Sequence, residues 1–144
     1  MSDPDVRSLT VRDVMSDRLV SVSSSCRVED ALDTIIGTRL RHLVVLGPQG
    51  RCRGIITSES VAMAVIAHAV PEVHTVGELL PQAFTAVAAH TSVEEAASLM
   101  LSAVVDALAV VDGLRRPLGI VTWSDILRAV ASGGRPDRLH HVPS

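Results

Sequence analysis

A hydroxyl and a carboxylate stand three residues apart at the end of an apolar stretch, Gly119 to Asp125. The pattern is typical of a buried strand that ends in a turn, after which a helix begins. It consists of a glycine, two β-branched residues, Thr122 and, three positions later, Asp125. At this spacing the pair resembles a capping box, which needs no ligand. A carboxylate at a helix start can also accept hydrogen bonds from the hydroxyl groups of a ligand. One pair can serve both purposes, so the stretch is a candidate site as well as a cap.

The stretch has an earlier and weaker copy, Gly54 to Ser60, 65 residues upstream. Residues 10–64 align without a gap on residues 75–129, with 13 identities in 55 positions. Two copies with so long a period predict a paired domain rather than a solenoid. Ser60 stands where the later copy has Asp125, so the two copies are not chemically equal.

Each copy predicts the same order of elements: a helical turn, a strand, an amphipathic helix, two strands and a last helix. The fold class is therefore α/β (α+β), as two tandem β-α-β-β-α motifs packed around a pseudo-twofold axis. The predicted division is an N-terminal tail (1–7), a first motif (8–69), a linker (70–74), a second motif (75–132) and a flexible C-terminal tail (133–144). Within the copies, the predicted elements span 10–15, 19–22, 28–39, 43–46, 52–57 and 58–69, then 75–80, 84–87, 93–104, 108–111, 117–122 and 123–131.

Composition narrows the possible functions of this 144-residue chain. Its net charge of −3 argues against nucleic-acid binding. Its 13 basic residues are all Arg, which excludes a Schiff-base lysine and a phosphate-loop lysine. The longest apolar run, 61–70, is too short to span a bilayer. The two cysteines are far apart in the sequence, which is typical of reduced thiols in a cytoplasmic protein. The six histidines lack metal-ligand spacing, and no catalytic motif is found, so we expect neither a metal site nor an enzyme.

The chain resembles a CBS domain pair, or Bateman module, in three features. These are the duplicated order of elements, the segment Arg41–Val45 before a turn, and the closing motif Gly-Ile-Val-Thr-x-x-Asp. The resemblance covers residues 8–132 and indicates a stand-alone pair. It implies a non-enzymatic regulatory module that binds an adenosine-containing ligand in the cleft between the copies and signals to a protein partner. AMP, ADP or ATP are the expected ligands, ahead of S-adenosylmethionine or NAD, and no cofactor is required. A homodimer formed through the helices is also implied.

The resemblance also assigns roles to residues, and these assignments favour one competent site. The ribose would be held by Thr122 and Asp125, because one carboxylate can accept both hydroxyls of a cis-diol. The phosphate would be held by Arg41 and His42, whose counterparts in the second copy, Asp106 and Ala107, do not suit an anion. The walls around the base would be Thr85, Ala86 and Ile120. The first site, with Thr57 and Ser60, is expected to be weak, empty or altered.

Two alternatives remain open at the level of sequence. The chain could be a ligand-free interaction protein, a dimer whose cleft is vestigial, in which Asp125 only caps a helix. In that case Arg41 would be a solvated surface residue and His42 a packed one. An enzymatic role is the third reading, and no residue pattern supports it.

Overall fold

The computed structural model describes residues 8–66, 75–81 and 84–133, which divide between two compact units. The middle unit comprises the described residues of Leu19–Phe84. The split unit comprises those of Met1–Arg18 together with those of Thr85–Ser144. The predicted linker and N-terminal tail lie outside the described residues, as do the C-terminal tail beyond Gly133 and the end of the helix predicted over 58–69.

The order of elements predicted from the sequence is confirmed in both repeats. The elements are α1 (Val11–Val14), β1 (Ser21–Ser23), α2 (Val28–Thr38), β2 (His42–Leu46), β3 (Cys52–Thr57), α3 (Ser58–Ile66), β4 (Ala86–Ala88), α4 (Val93–Ala103), β5 (Ala107–Val111), β6 (Pro117–Thr122) and α5 (Trp123–Ala131). Short 3-10 turns span Pro48–Gly50 and Val76–Leu79.

Each unit contains one three-stranded sheet, ordered β1-β2-β3 in the middle unit and β4-β5-β6 in the split unit. In both sheets the first strand runs parallel to the second, and the third runs antiparallel to it. A helix connects each parallel pair, as a parallel connection requires. The first strands begin two residues later than predicted, because their pairing starts only at Ser21 and at Ala86.

Aliphatic side chains fill a separate core in each unit. The α2 face predicted to be apolar supplies Val28 and Ala31 to the core of the middle unit. The core of the split unit is larger, and its fully buried side chains include Met100, Leu108 and Val121. These residues come from the helices and from alternate positions of the strands, as the helix and strand periods require.

The opening turn of each sequence repeat lies in the unit built from the other repeat. The helix α1 belongs to the split unit, together with the strands of the second repeat. There the Val11 N–H donates to the Thr91 carbonyl over 2.7 Å. In the middle unit, the turn at Val76–Leu79 joins the first repeat, and the Val76 N–H donates to the Cys26 carbonyl over 2.9 Å. Both valines are fully buried there. The compact units therefore do not coincide with the repeats read along the chain.

Gly119 is required where the N-terminal segment crosses β6. Ser16 and Ile120 exchange two backbone hydrogen bonds of 2.9 Å, which hold this segment against the strand. A Cβ atom on residue 119 would lie 2.6 Å from the Ser16 carbonyl oxygen, closer than packed atoms approach. The glycine of the duplicated motif thus serves a close backbone approach.

We expect Gly119→Ala to lower the free energy of unfolding by about 1–3 kcal/mol, since backbone must move to admit the methyl group. Gly113→Ala is the matched control, because a Cβ there meets nothing within 4 Å. Urea denaturation of the two variants compares them directly. Equal stability of the two variants would show that the crossing tolerates a side chain.

Candidate functional site

Thr122 and Asp125 come together at the junction of β6 and α5, as predicted. Asp125 Oδ2 accepts hydrogen bonds from the Thr122 N–H at 2.8 Å and from the Thr122 hydroxyl at 3.1 Å. The Asp125 N–H donates in return to Thr122 Oγ1 over 3.3 Å. The pair is thus a complete capping box. Asp125 is only 5% exposed, which makes it the one buried charged side chain among the described residues.

The second oxygen of the Asp125 carboxylate is paired with Arg128, which the sequence reasoning missed. Arg128 Nη2 donates to Asp125 Oδ1. The two residues are three apart on α5 and therefore neighbours on the helix surface, so the spacing itself could have revealed the pair. Half of the Arg128 side chain is exposed. Consequently both carboxylate oxygens have partners within the chain.

Two of the three residues predicted to form the base wall share one row of the sheet. Ala86 pairs with Ala109 on β5, and Ala109 pairs with Ile120 on β6. Ala109, which the sequence reasoning missed, is fully buried and occupies the centre of this row. Thr85 is exposed and lies just before β4 rather than in it. The row ends two residues before Thr122, so one strand carries both Ile120 and the capping threonine.

Arg41 and His42, the predicted phosphate residues, lie at the start of β2 in the middle unit. The exposed Arg41 guanidinium forms an ion pair with Glu59, with Nη2 3.1 Å from Oε1. The Glu59 N–H and the Arg41 guanidinium hold the pKa of the Glu59 carboxyl below its ordinary value. His42 is half-buried and stands opposite Thr57 in the β2–β3 register. Arg41 is therefore already paired with an anionic side chain.

Thr57 and Ser60 form a purely internal cap at the start of α3. The Ser60 N–H donates to Thr57 Oγ1 over 3.1 Å, and the Ser60 hydroxyl donates to the Thr57 carbonyl over 2.9 Å. The Thr57 N–H also points at the Ser60 hydroxyl oxygen, 3.2 Å away. The serine hydroxyl proton is thus engaged within the turn, and no carboxylate takes part.

A second Thr–Asp cap, which was not predicted from the sequence, occurs at α1. Asp13 Oδ2 accepts from the Thr10 N–H at 2.8 Å and from the Thr10 hydroxyl at 3.1 Å. These are the same two distances that Thr122 and Asp125 show. The Thr-x-x-Asp spacing alone therefore does not separate a helix cap from a binding site.

The predicted site residues divide between the two units. Thr85, Ala86, Ile120, Thr122 and Asp125 belong to the split unit. Arg41 and His42 belong to the middle unit, together with the pair Thr57 and Ser60. The assignment of one ligand to residues of both units remains a prediction from the sequence.

Within residues 8–66, 75–81 and 84–133, no three His, Cys, Asp or Glu side chains are grouped as metal ligands would be. In the same ranges, no helix combines the length and the apolar character needed to cross a membrane.

Comparison with known proteins shows what the chain resembles. The CBS domain model matches it twice, over residues 11–67 and 76–132. The CBS domain pair of protein MJ0100, solved with 5′-methylthioadenosine and S-adenosyl-L-methionine, is 27% identical and has a TM-score of 0.75. That match covers 86% of this chain and 97% of the other. CBSX2, solved with AMP, is 26% identical with a TM-score of 0.74, and the match covers 88% of this chain and 98% of CBSX2.

Enzymes also occur among the relatives, but the similarity is confined to part of them. Homoserine O-acetyltransferase of Methanocorpusculum labreanum is 29% identical over 114 residues, which are 79% of this chain and 23% of the relative. The chain thus spans about a quarter of the length of the first curated relatives that it matches. The family model, by contrast, accounts for most of the chain, in two repeats that have the predicted order of elements. The chain therefore belongs to the CBS domain family and carries two CBS domains in tandem.

Proposed function

We propose that this chain is a non-enzymatic regulatory module that binds an adenosine-containing ligand and signals its presence to a protein partner. Thr122 and Asp125 would hold the ribose, and the row of Ala86, Ala109 and Ile120 would face the base. Arg41 and His42 would hold phosphate groups, with AMP, ADP or ATP as the preferred ligands. The complexes of MJ0100 with S-adenosyl-L-methionine and of CBSX2 with AMP support the choice of ligand class.

The buried Asp125 carboxylate is the observation on which the proposal depends. A capping box uses one carboxylate oxygen, and here both hydrogen bonds from Thr122 fall on Oδ2. Oδ1 is not needed for the cap, and it is the atom from which a hydroxyl group of a ligand could be bound. The corresponding Ser60 offers no second oxygen, which supports one ribose site per chain rather than two.

Trp123 provides a direct test, because it is the single tryptophan and lies between the two ribose residues. Its ring packs against the core of the split unit and is partly exposed. Titration with AMP, ADP, ATP or S-adenosylmethionine should change its fluorescence, and calorimetry should give the same affinity. If neither method detects binding of any of these ligands, the proposal is wrong.

Binding of phosphate by Arg41 predicts a selective effect of Arg41→Ala. The variant should bind AMP about tenfold more weakly, since a charge-assisted hydrogen bond is lost, and should bind adenosine as well as the original chain does. Arg39→Ala serves as a control at a neighbouring exposed arginine. Calorimetric affinities for both ligands decide the matter. An equal loss for AMP and adenosine would assign Arg41 a structural role instead.

A ligand-free interaction module is the second candidate, and two observations favour it. Every buried side-chain nitrogen and oxygen in the described ranges already has a hydrogen-bond partner, so the fold is satisfied without a ligand. Large aliphatic side chains are also exposed on the helices of both units, as an interface between copies would require. They are Ile36, Met63, Ile66, Leu101, Leu127 and Val130. We propose a homodimer through these helices, which sedimentation equilibrium would test.

A further inference from the structure

We infer that Arg128 is an internal competitor for the ribose site: its guanidinium occupies the Asp125 oxygen that a ribose hydroxyl must reach. The inference rests on the proposed function and adds a residue that sets the affinity for it. Binding of a cis-diol would then exchange the Arg128–Asp125 ion pair for hydrogen bonds to the ligand, and it would release the guanidinium.

The hydrogen-bonding capacity of Asp125 supports the competition. Each carboxylate oxygen accepts about two hydrogen bonds. Oδ2 already accepts two from Thr122, and Oδ1 accepts one from Arg128. One acceptor position therefore remains, whereas a ribose that places both hydroxyls on the carboxylate needs two. Since the cap at Oδ2 supports the start of α5, Arg128 is the donor that can leave at the smaller cost.

Exposure points to the same donor. Asp125 is 5% exposed, whereas half of the Arg128 side chain reaches solvent. An arginine released from the carboxylate can be solvated without rearrangement of the helix, since its side chain is long and flexible. Movement of Thr122, in contrast, would disrupt the junction between β6 and α5.

The two repeats support a link between this arginine and the carboxylate. Ser60 and Met63 occupy the positions of Asp125 and Arg128 in the first repeat, so the acid and the base are absent together. A capping aspartate does not by itself require an arginine three residues further along the chain. Asp13 makes the same cap with Thr10, and the residue three positions on is Ser16.

An Arg128→Met variant, which copies Met63 of the first repeat, tests the inference with uncharged ligands. The variant should bind adenosine about two- to fivefold more tightly, the range expected when a half-exposed ion pair no longer competes. The gain should be absent with 2′,3′-dideoxyadenosine, which lacks both hydroxyls. Calorimetry on the full chain measures both ligands, so no phosphate interaction enters the comparison.

The salt dependence of adenosine binding provides a second measurement. Raising NaCl from about 0.05 M to about 1 M partly screens an ion pair whose arginine is half exposed, so the adenosine affinity of the original chain should move toward that of Arg128→Met. If the variant binds adenosine no better than the original chain, or gains equally for dideoxyadenosine, the inference is wrong while the proposed function stands. If neither chain binds adenosine, AMP, ADP, ATP or S-adenosylmethionine, the proposed function fails and the inference fails with it.

Discussion

A Val11→Asp variant is expected to unfold the split unit before the middle unit. Val11 is fully buried in the core of the split unit, where it packs with residues of the second repeat. A carboxylate at this position would be an uncompensated buried charge, which costs of order 3–5 kcal/mol, comparable with the whole stability of a small domain. Native-state hydrogen exchange should show faster exchange in β4, β5 and β6 than in the sheet of the middle unit.

Two comparison variants make this prediction specific. Arg12→Asp places the same charge on the next residue, which is exposed, and should leave exchange nearly unchanged. Val76→Asp should have the reverse effect, because Val76 is fully buried in the core of the middle unit. If Val11→Asp instead destabilised the first repeat selectively, the assignment of α1 to the split unit would be contradicted.

The exchanged opening turns mark the limit of what the repeat pattern could predict. Apolar periodicity correctly predicted both amphipathic helices and the third strand of each sheet, because these elements follow from local residue patterns. The pattern Thr10-Val11 and its copy Thr75-Val76 predicted two turns but not their partners. Which core receives a buried valine depends on contacts between residues distant in the sequence, such as the hydrogen bond from Val11 to Thr91.

The same distinction holds for the candidate site, because some of its residues follow from local sequence spacing and others only from strand pairing. The spacing of Thr122 and Asp125 predicted the capping box, since the two residues belong to one helical turn. The same rule of helical neighbours could have identified Arg128 as a partner of Asp125. Ala109 could not be found by such a rule, because its place between Ala86 and Ile120 follows from strand pairing. Local patterns therefore identify the capping pair Thr122 and Asp125 but not the strand surface beside it.

An Asp125→Asn variant is expected to bind the adenosine ligand at least tenfold more weakly than the original chain. Asparagine keeps one oxygen that can accept the Thr122 N–H, so much of the cap survives. It loses the charge and the second acceptor oxygen, and hydrogen bonds to a charged group contribute about 1.5–3 kcal/mol each. Trp123 fluorescence and calorimetry with AMP measure the loss, and urea denaturation measures any change in stability.

Asp13→Asn is the matched control, because it separates the cap from the binding site. Asp13 makes the same two hydrogen bonds with Thr10, at the same distances, within the same split unit. Through loss of the cap, both substitutions should therefore lower the free energy of unfolding by similar amounts, at most about 0.5–2 kcal/mol. Only Asp125→Asn should weaken binding. Equal weakening by the two variants would mean that binding follows the stability of the split unit. Unchanged binding by Asp125→Asn would leave that residue only the capping role it shares with Asp13.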